Sequence, residues 1–266
     1  MKESTCPLGK KVPNHIKYDP NILYRISRIQ GRSKFRASCY SFYGLDIWNI
    51  YELSWMQNDG YPRSAICTIS YDCNSQYMIE SKSLKLYINS LYNYTAKDEE
   101  EITGLLSNDL SNKLDTVVHV KIHHIGSPCI PMQTPEGICI DNIIYLNTSS
   151  NQQSKCDKVE NEVIYTNLLR SKCPVTSQPD WATLVIKYTG QKINYQVLMK
   201  YIISLRDNET FHEHCIEKIF LSLVQKFHLS QVEVYGKYTR RGGIDINPFR
   251  TSLKGVPAHN FRTTRQ

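Results

Sequence analysis

The sequence predicts an α+β protein built from two tandem copies of one unit, each an antiparallel sheet with paired helices on one face. Three observations carry this expectation. Runs that alternate apolar and polar residues are interleaved with runs of helical spacing, in the order strand, strand, helix, helix, strand, and the order occurs twice. At an offset of 114 residues, Leu84, Tyr87, Ile88, Ser90 and Leu91 meet Leu198, Tyr201, Ile202, Ser204 and Leu205, and Ile102 meets Ile216. Between the halves, Gly, Pro, Asn, Ser and Gln accumulate over residues 125–160. The expected organisation is an N-terminal arm over 1–45, a first repeat over 46–135, a connecting segment over 136–160 and a second repeat over 161–266.

Each element has its own reason. Residues 1–45 are polar, weakly periodic and read as an extended arm. DIWNIYELSW (46–55) is rich in aromatic and β-branched residues and reads as a strand, Asn58-Asp59-Gly60 as a turn, and SAICTISY (64–71) as the hairpin partner. Apolar residues at 84, 87, 88 and 91 then predict a helix, with a second over 98–110 and a strand over 116–124. In the second half, 162–169 and 183–188 read as strands around a loop fixed by Pro174 and Pro179. Leu198, Tyr201, Ile202 and Leu205 share one helix face. A further helix begins near His212 with Cys215, Ile216, Ile219, Phe220, Leu223, Val224 and Phe227 as its apolar stripe, and 232–235 returns to strand.

Composition narrows the function classes. The hydrophobic fraction of 41% allows a sizeable core, and no run approaches the roughly 18 apolar residues of a membrane helix. The opening MKESTCPLGKKVPNH has no apolar signal-peptide core, so a soluble, cytoplasmic protein is expected. Nine cysteines, an odd number with no CxxC pair, argue against a disulfide framework and a structural zinc site. The net charge of +7 fits either a solvated basic surface or an anionic partner, and no RNA-recognition or helix-turn-helix signature accompanies it, so no nucleic acid is expected to bind.

Four segments carry groups suited to chemistry. In LLRSKCPVTSQPDW (168–181), Cys173 stands at a strand end before a proline-fixed loop. Lys172 or another nearby cation suits its thiolate, and Asp180, desolvated beside Trp181, suits proton donation. A buried structural cysteine and a turn-capping aspartate fit the same spacing. In Phe211-His212-Glu213-His214 the residue four after His212 is Ile216, which excludes a zinc-protease HExxH and leaves no metal site indicated. Glu213 can accept paired N–H donors from a planar group, or simply favour the helix dipole. In ESKSLKLY (80–87), Ser81 and Lys82 at a helix start suit an anion such as phosphate, or are an ordinary cap. In YTRRGGIDINP (238–248), two arginines before a glycine pair allow close backbone approach and bidentate phosphate contacts, without any GxGxxG of a Rossmann site.

Together ESKSLKLY (80–87), CPVTSQPDW (173–181), FHEHCIEKIF (211–220) and YTRRGGIDINP (238–248), with DIWNIYELSW (46–55) and PLGK (7–10), resemble the long, two-repeat form of the NADPH-dependent 7-cyano-7-deazaguanine reductases, the nitrile reductases of queuosine biosynthesis. The resemblance covers nearly the whole chain after about residue 40. It implies the tunnelling fold (T-fold) and a homodimer. It implies Cys173 as the nucleophile that adds to the nitrile, Asp180 as the proton donor and His212 as a helper in proton transfer. It implies Ile79, Glu80, Ser81, His212 and Glu213 as substrate contacts, and Ser81, Lys82, Arg241 and Gly242 as contacts to NADPH, two of which are consumed per turnover. One departure is Ala182, where the family pattern has glycine. The signature ESKSLKLY occurs only in the first repeat and the Cys/Asp pair only in the second, so each copy keeps half of a site. Three rivals stay in view: a cysteine nitrile hydrolase, a metal-dependent cyclohydrolase of the same fold, and an RNA-binding module suggested by charge alone.

Overall fold

The computed structural model describes residues 17–35, 41–126, 130–142, 158–227 and 229–266. The described chain divides into two compact units. One takes residues 17–30, 47–126 and 240–245; the other takes 31–35, 41–46, 130–142, 158–227, 229–239 and 246–266.

In the first unit, β1 (Arg25–Ser27) leads into the short α1 (Arg28–Arg32), which ends in the second unit; β2 (Tyr43–Gln57), in the first unit from residue 47, and β3 (Pro62–Asp72) follow. Gly60, at φ 83°, turns the chain between them. Next come β4 (Tyr77–Ile79), α2 (Ser81–Ser90), β5 (Thr95–Ala96), α3 (Glu99–Leu114) and β6 (Val118–His124). β3 lies between β2 and β6, antiparallel to β6, and β5 runs parallel to the end of β2. The alternation read from the sequence is literal in β3. Ala65, Cys67, Ile69 and Tyr71 are buried, and the residues between them face outward. α3 buries Ile102, Leu106, Leu110 and Leu114, one residue per turn. Its start is fixed by Asp98, which accepts from the N–H of Glu101, and by three glutamates in the first turn, where the helix dipole favours negative charge.

The second unit contains β7 (Ile138–Cys139), β8 (Lys158–Lys172), β9 (Pro179–Gln191), α4 (Tyr195–Ser204), α5 (His212–Lys226), β10 (Gln231–Tyr238) and, from residue 246 onward, β11 (Ile244–Thr251). The strands run in the order β7-β8-β9-β10-β11, antiparallel except at β7. α4 packs on β8 and α5 on β10. Leu184, Ile186, Val232 and Val234 are buried, as is the α5 stripe of Ile216, Ile219 and Leu223. At its edge lies a buried ionic group. Glu217 Oε1 is 2.7 Å from Arg32 Nη2 and 2.9 Å from Arg250 Nη2, and Arg250 Nη1 is 2.8 Å from Asp46 Oδ1.

α2 and α4 are each ten residues long and begin 114 positions apart, the offset at which the sequence repeats. The architecture is α+β with antiparallel sheets, in keeping with two related units.

Two readings differ from the structure. Residues 17–35 are not an extended arm: β1 pairs with β4, Leu23 is buried, and Tyr18 donates to Asp109 Oδ2 at 2.6 Å. Few apolar residues among many polar ones hid that ordering. The remainder of the arm, 1–16 with PLGK (7–10) and 36–40, lies outside the described residues, as does 143–157 of the connecting segment. β11 occupies a segment to which the sequence reading assigns no element. All eight of its residues are buried, so it has no alternation to see, and Pro248 argues against a strand. Among the described residues no helix is long and apolar enough to cross a membrane.

Candidate active site

The candidate residues fall into two groups, one in each unit. In the second unit, Cys173 opens the turn between β8 and β9. Its N–H donates to Gln178 O at 2.9 Å and its carbonyl accepts from Ser177 N at 3.0 Å, with Ser177 in the left-handed region at φ 53°. The turn is strapped to the segment that leads into α5. Lys172 N donates to Asn208 O, and Thr210 N donates to Lys172 O, both at 2.9 Å, while Ser177 Oγ is 2.9 Å from Glu209 Oε1. The thiol is half-buried on this doubly anchored corner. The Lys172 side chain has another partner. The ammonium sits 2.8 Å from Asp207 Oδ1, and that contact holds the Asp207 carboxyl below its usual range.

Asp180 stands across the β8–β9 ladder from Ser171 and is 5% exposed. The expected desolvation by Trp181 is corrected by strand geometry, because successive side chains leave opposite faces. Trp181 takes the guanidiniums of Arg170 and Arg206 over its ring on the other face. The cover for Asp180 comes from His212, the first residue of α5, whose Nε2 lies 3.3 Å from Asp180 Oδ2. The imidazole is itself stacked on the ring of Tyr238 at 3.8 Å and 19°. Behind them Cys215 is fully buried in the apolar stripe of α5, and burial pushes its thiol up, so it is a core residue. Glu213 is buried beside His212 in the first turn. Ala182 is fully buried opposite Tyr238 in the β9–β10 register, so the departure from glycine adds one methyl to the same face as Asp180.

In the first unit, Glu80 caps α2. Its Oε1 accepts from Lys82 N at 2.7 Å and its Oε2 from Ser83 N at 2.8 Å, while its own N–H donates to Tyr24 O at 2.9 Å. Burial raises the carboxyl above its ordinary range, against the lowering pull of those N–H groups. This changes the reading of the helix start. The N–H groups of Lys82 and Ser83 point at Glu80, so these two backbone donors at the helix start are already engaged. Ile79, 3% exposed, holds the position before the cap and pairs with Arg25.

Arg241 and Gly242 lie at the tip of a tight turn. Arg241 N donates to Ile244 O at 2.9 Å and Ile244 N to Arg241 O at 3.3 Å. Gly242 and Gly243 have φ 58° and 75°, the mirror-image turn that two-residue hairpin loops require. The turn lies against α2: a Cβ on Gly242 would stand 2.3 Å from Lys85 Nζ. Lys85 is the residue that sequence reasoning missed. It reads as an ordinary exposed lysine, and only its place inside ESKSLKLY, three residues after Lys82, could have marked it. The structure thus brings Asp180 to His212, and Gly242 to Lys85.

The N-terminal region matches the family described as "Nitrile reductase, 7-cyano-7-deazaguanine-reductase N-term" over residues 15–122, and "QueF-like protein" matches 179–255. The NADPH-dependent 7-cyano-7-deazaguanine reductase of Legionella pneumophila (strain Paris) is 42% identical over 97% of this chain and 94% of its own. The protein of the same name from Desulfotalea psychrophila is 41% identical over 92% of each chain. That of Bordetella parapertussis is 39% identical over the whole of both.

Proposed function

The chain belongs to the family of NADPH-dependent 7-cyano-7-deazaguanine reductases, and from that premise we propose that it reduces the nitrile of 7-cyano-7-deazaguanine to an aminomethyl group, in queuosine biosynthesis, through a covalent intermediate on Cys173. A nitrile carbon resists direct hydride attack. The Cys173 thiolate adds to it first, forming a C–S bond as one C–N π bond opens, and the nitrogen takes the proton of Asp180. Hydride from NADPH reduces this thioimide, with a further proton going to nitrogen. The C–S bond then breaks, returning the thiolate and leaving an imine, and a second hydride with its proton gives the amine. NADPH supplies the hydride; the protein supplies position and polarity.

The observation that supports this most directly is the buried Asp180–His212 contact beside a turn that fixes Cys173. A carboxyl kept from water and paired with an imidazole can release a proton and be recharged from the ring. Glu80 and Glu213 are each a carboxylate of the kind that accepts paired N–H donors such as those on the edge of the deazaguanine. Ile79 offers an apolar wall beside Glu80. The side chains of Ser81, Lys82, Lys85 and Arg241, with the open backbone at Gly242, fit the NADPH phosphates. The tunnelling fold, a homodimer and a cytoplasmic location belong to the same reading.

The test is stoichiometry. Purified protein with 7-cyano-7-deazaguanine should oxidise NADPH in a ratio of two per nitrile, since each hydride carries two of the four electrons required. Conversion of the nitrile without NADPH oxidation would overturn the reading in favour of hydrolysis.

A further inference from the structure

The turn that carries Arg240 to Gly243 is held from one side by a single residue of β2. Tyr51 N donates to Gly243 O at 2.8 Å, Tyr51 OH donates to Asp245 Oδ2 at 2.5 Å, and the Arg240 guanidinium lies over the Tyr51 ring at 4.6 Å. Asp245 is 1% exposed and is itself fixed, because its Oδ1 accepts from Asn49 Nδ2 at 2.9 Å. Asn49 Oδ1 in turn accepts from Thr68 Oγ1 at 3.2 Å on β3. So three separate parts of one tyrosine, its backbone, ring and hydroxyl, engage three features in and beside the turn: the carbonyl of Gly243, the charge of Arg240 and the carboxylate of Asp245.

Glycine pairs lose more conformational freedom on ordering than other residues, so outside contacts that fix this turn add to what its own two backbone bonds supply. The arginines beside it are exposed and long, and each gives up rotamer freedom on meeting an anion. A surface that fixes the turn and stacks one guanidinium lowers that cost before the ligand arrives.

We propose that Tyr51 is a positioning residue for NADPH: it presets the Arg240–Gly243 turn and the Arg240 guanidinium for the cofactor's phosphates. The proposal rests on the reading of Arg241 and Gly242 as NADPH contacts. It assigns Tyr51 no contact with the nitrile and no proton transfer.

The test compares Tyr51→Phe with Tyr51→Leu, using three readouts on the full chain. These are NADPH binding by fluorescence titration, KM for NADPH against kcat, and the rate of covalent addition of 7-cyano-7-deazaguanine to Cys173 without NADPH. Tyr51→Leu removes the stacking and the hydroxyl bond, and should weaken NADPH binding and raise its KM roughly tenfold, as loss of about 1.4 kcal/mol requires. The kcat at saturating NADPH and the rate of addition to Cys173 should stay near wild type. Tyr51→Phe keeps the ring under Arg240 and should recover part of the loss. Unchanged NADPH affinity in Tyr51→Leu would overturn the proposal, as would a loss of addition to Cys173 equal to the loss of NADPH affinity in both variants. Wild-type protein that binds NADPH in a Tyr51-dependent way but does not oxidise it would uphold the positioning role and sink the reductase reading. Wild-type protein that does not bind NADPH would sink both.

Discussion

His212 Nε2 lies 3.3 Å from Asp180 Oδ2, joining the first residue of α5 to the second residue of β9. The carboxyl is buried and the imidazole has only a narrow exposed edge, so the pair is largely kept from water. The stacked Tyr238 ring fixes the plane of the imidazole, and the strap from Lys172 to Asn208 and Thr210 fixes where α5 begins relative to the Cys173 turn.

Asp180→Asn keeps the shape of the side chain and removes its acid. The expected result is a fall in the rate of addition to Cys173 of about 10²- to 10⁴-fold, with little change in stability. Stopped-flow measurement of adduct formation checks it; a rate within twofold of wild type would remove Asp180 from the proton path.

Gly243→Ala places a methyl where φ is 75° and where a Cβ would stand 2.3 Å from the Glu52 carboxyl carbon. The left-handed backbone costs a non-glycine residue about 1–2 kcal/mol. The variant should lose about that much stability and show a raised KM for NADPH with an unaltered rate of addition to Cys173. Denaturant titration and steady-state kinetics read the two effects; an unchanged KM would detach this turn from the cofactor.

The tandem order was legible because both helix pairs show the same face at the same spacing, and Leu84/Leu198 and Ile88/Ile202 are buried in each. The turn at Asn58-Asp59-Gly60 was legible for a local reason, a glycine with positive φ. What the sequence concealed depends on partners far along the chain. Nothing local says that Glu80 will accept from Lys82 and Ser83 instead of facing a ligand alone, since glutamate is not among the favoured caps. Nothing local places Trp181 on the face away from Asp180 except strand phase, which the sequence carried but which a loop reading of 173–179 obscured. The pair Gly242-Gly243 did carry a hairpin signal, and reading it as such would have found β11.

Glu80 supplies a pH prediction. A carboxyl whose pKa is raised in the folded state contributes stability that is full below its unfolded value, about 4.3, and is lost as pH rises through the folded value. The difference in unfolding free energy between wild type and Glu80→Gln should therefore move in favour of the variant as pH rises from about 4 towards neutrality. Denaturant titrations across that interval check the sign. A difference that is flat, or that moves towards wild type, contradicts the burial effect.

The buried group of Glu217, Arg32, Arg250 and Asp46 predicts a stability effect independent of chemistry. Glu217→Gln leaves two guanidiniums without their shared carboxylate in a site where the Arg250 side chain has no exposure. Breaking a buried pair in this way typically costs about 3–5 kcal/mol. Chemical denaturation should show a loss of that order, and a loss below about 1 kcal/mol would place the cluster in water instead.

The covalent role of Cys173 is open to intact-mass measurement. Protein incubated with 7-cyano-7-deazaguanine and no NADPH should gain the full mass of one substrate, since addition expels nothing. Peptide mapping should place that mass on Cys173, and Cys173→Ala should gain none. A wild-type protein that stays unmodified while still reducing the nitrile, or one modified on Cys139 instead, would contradict the account.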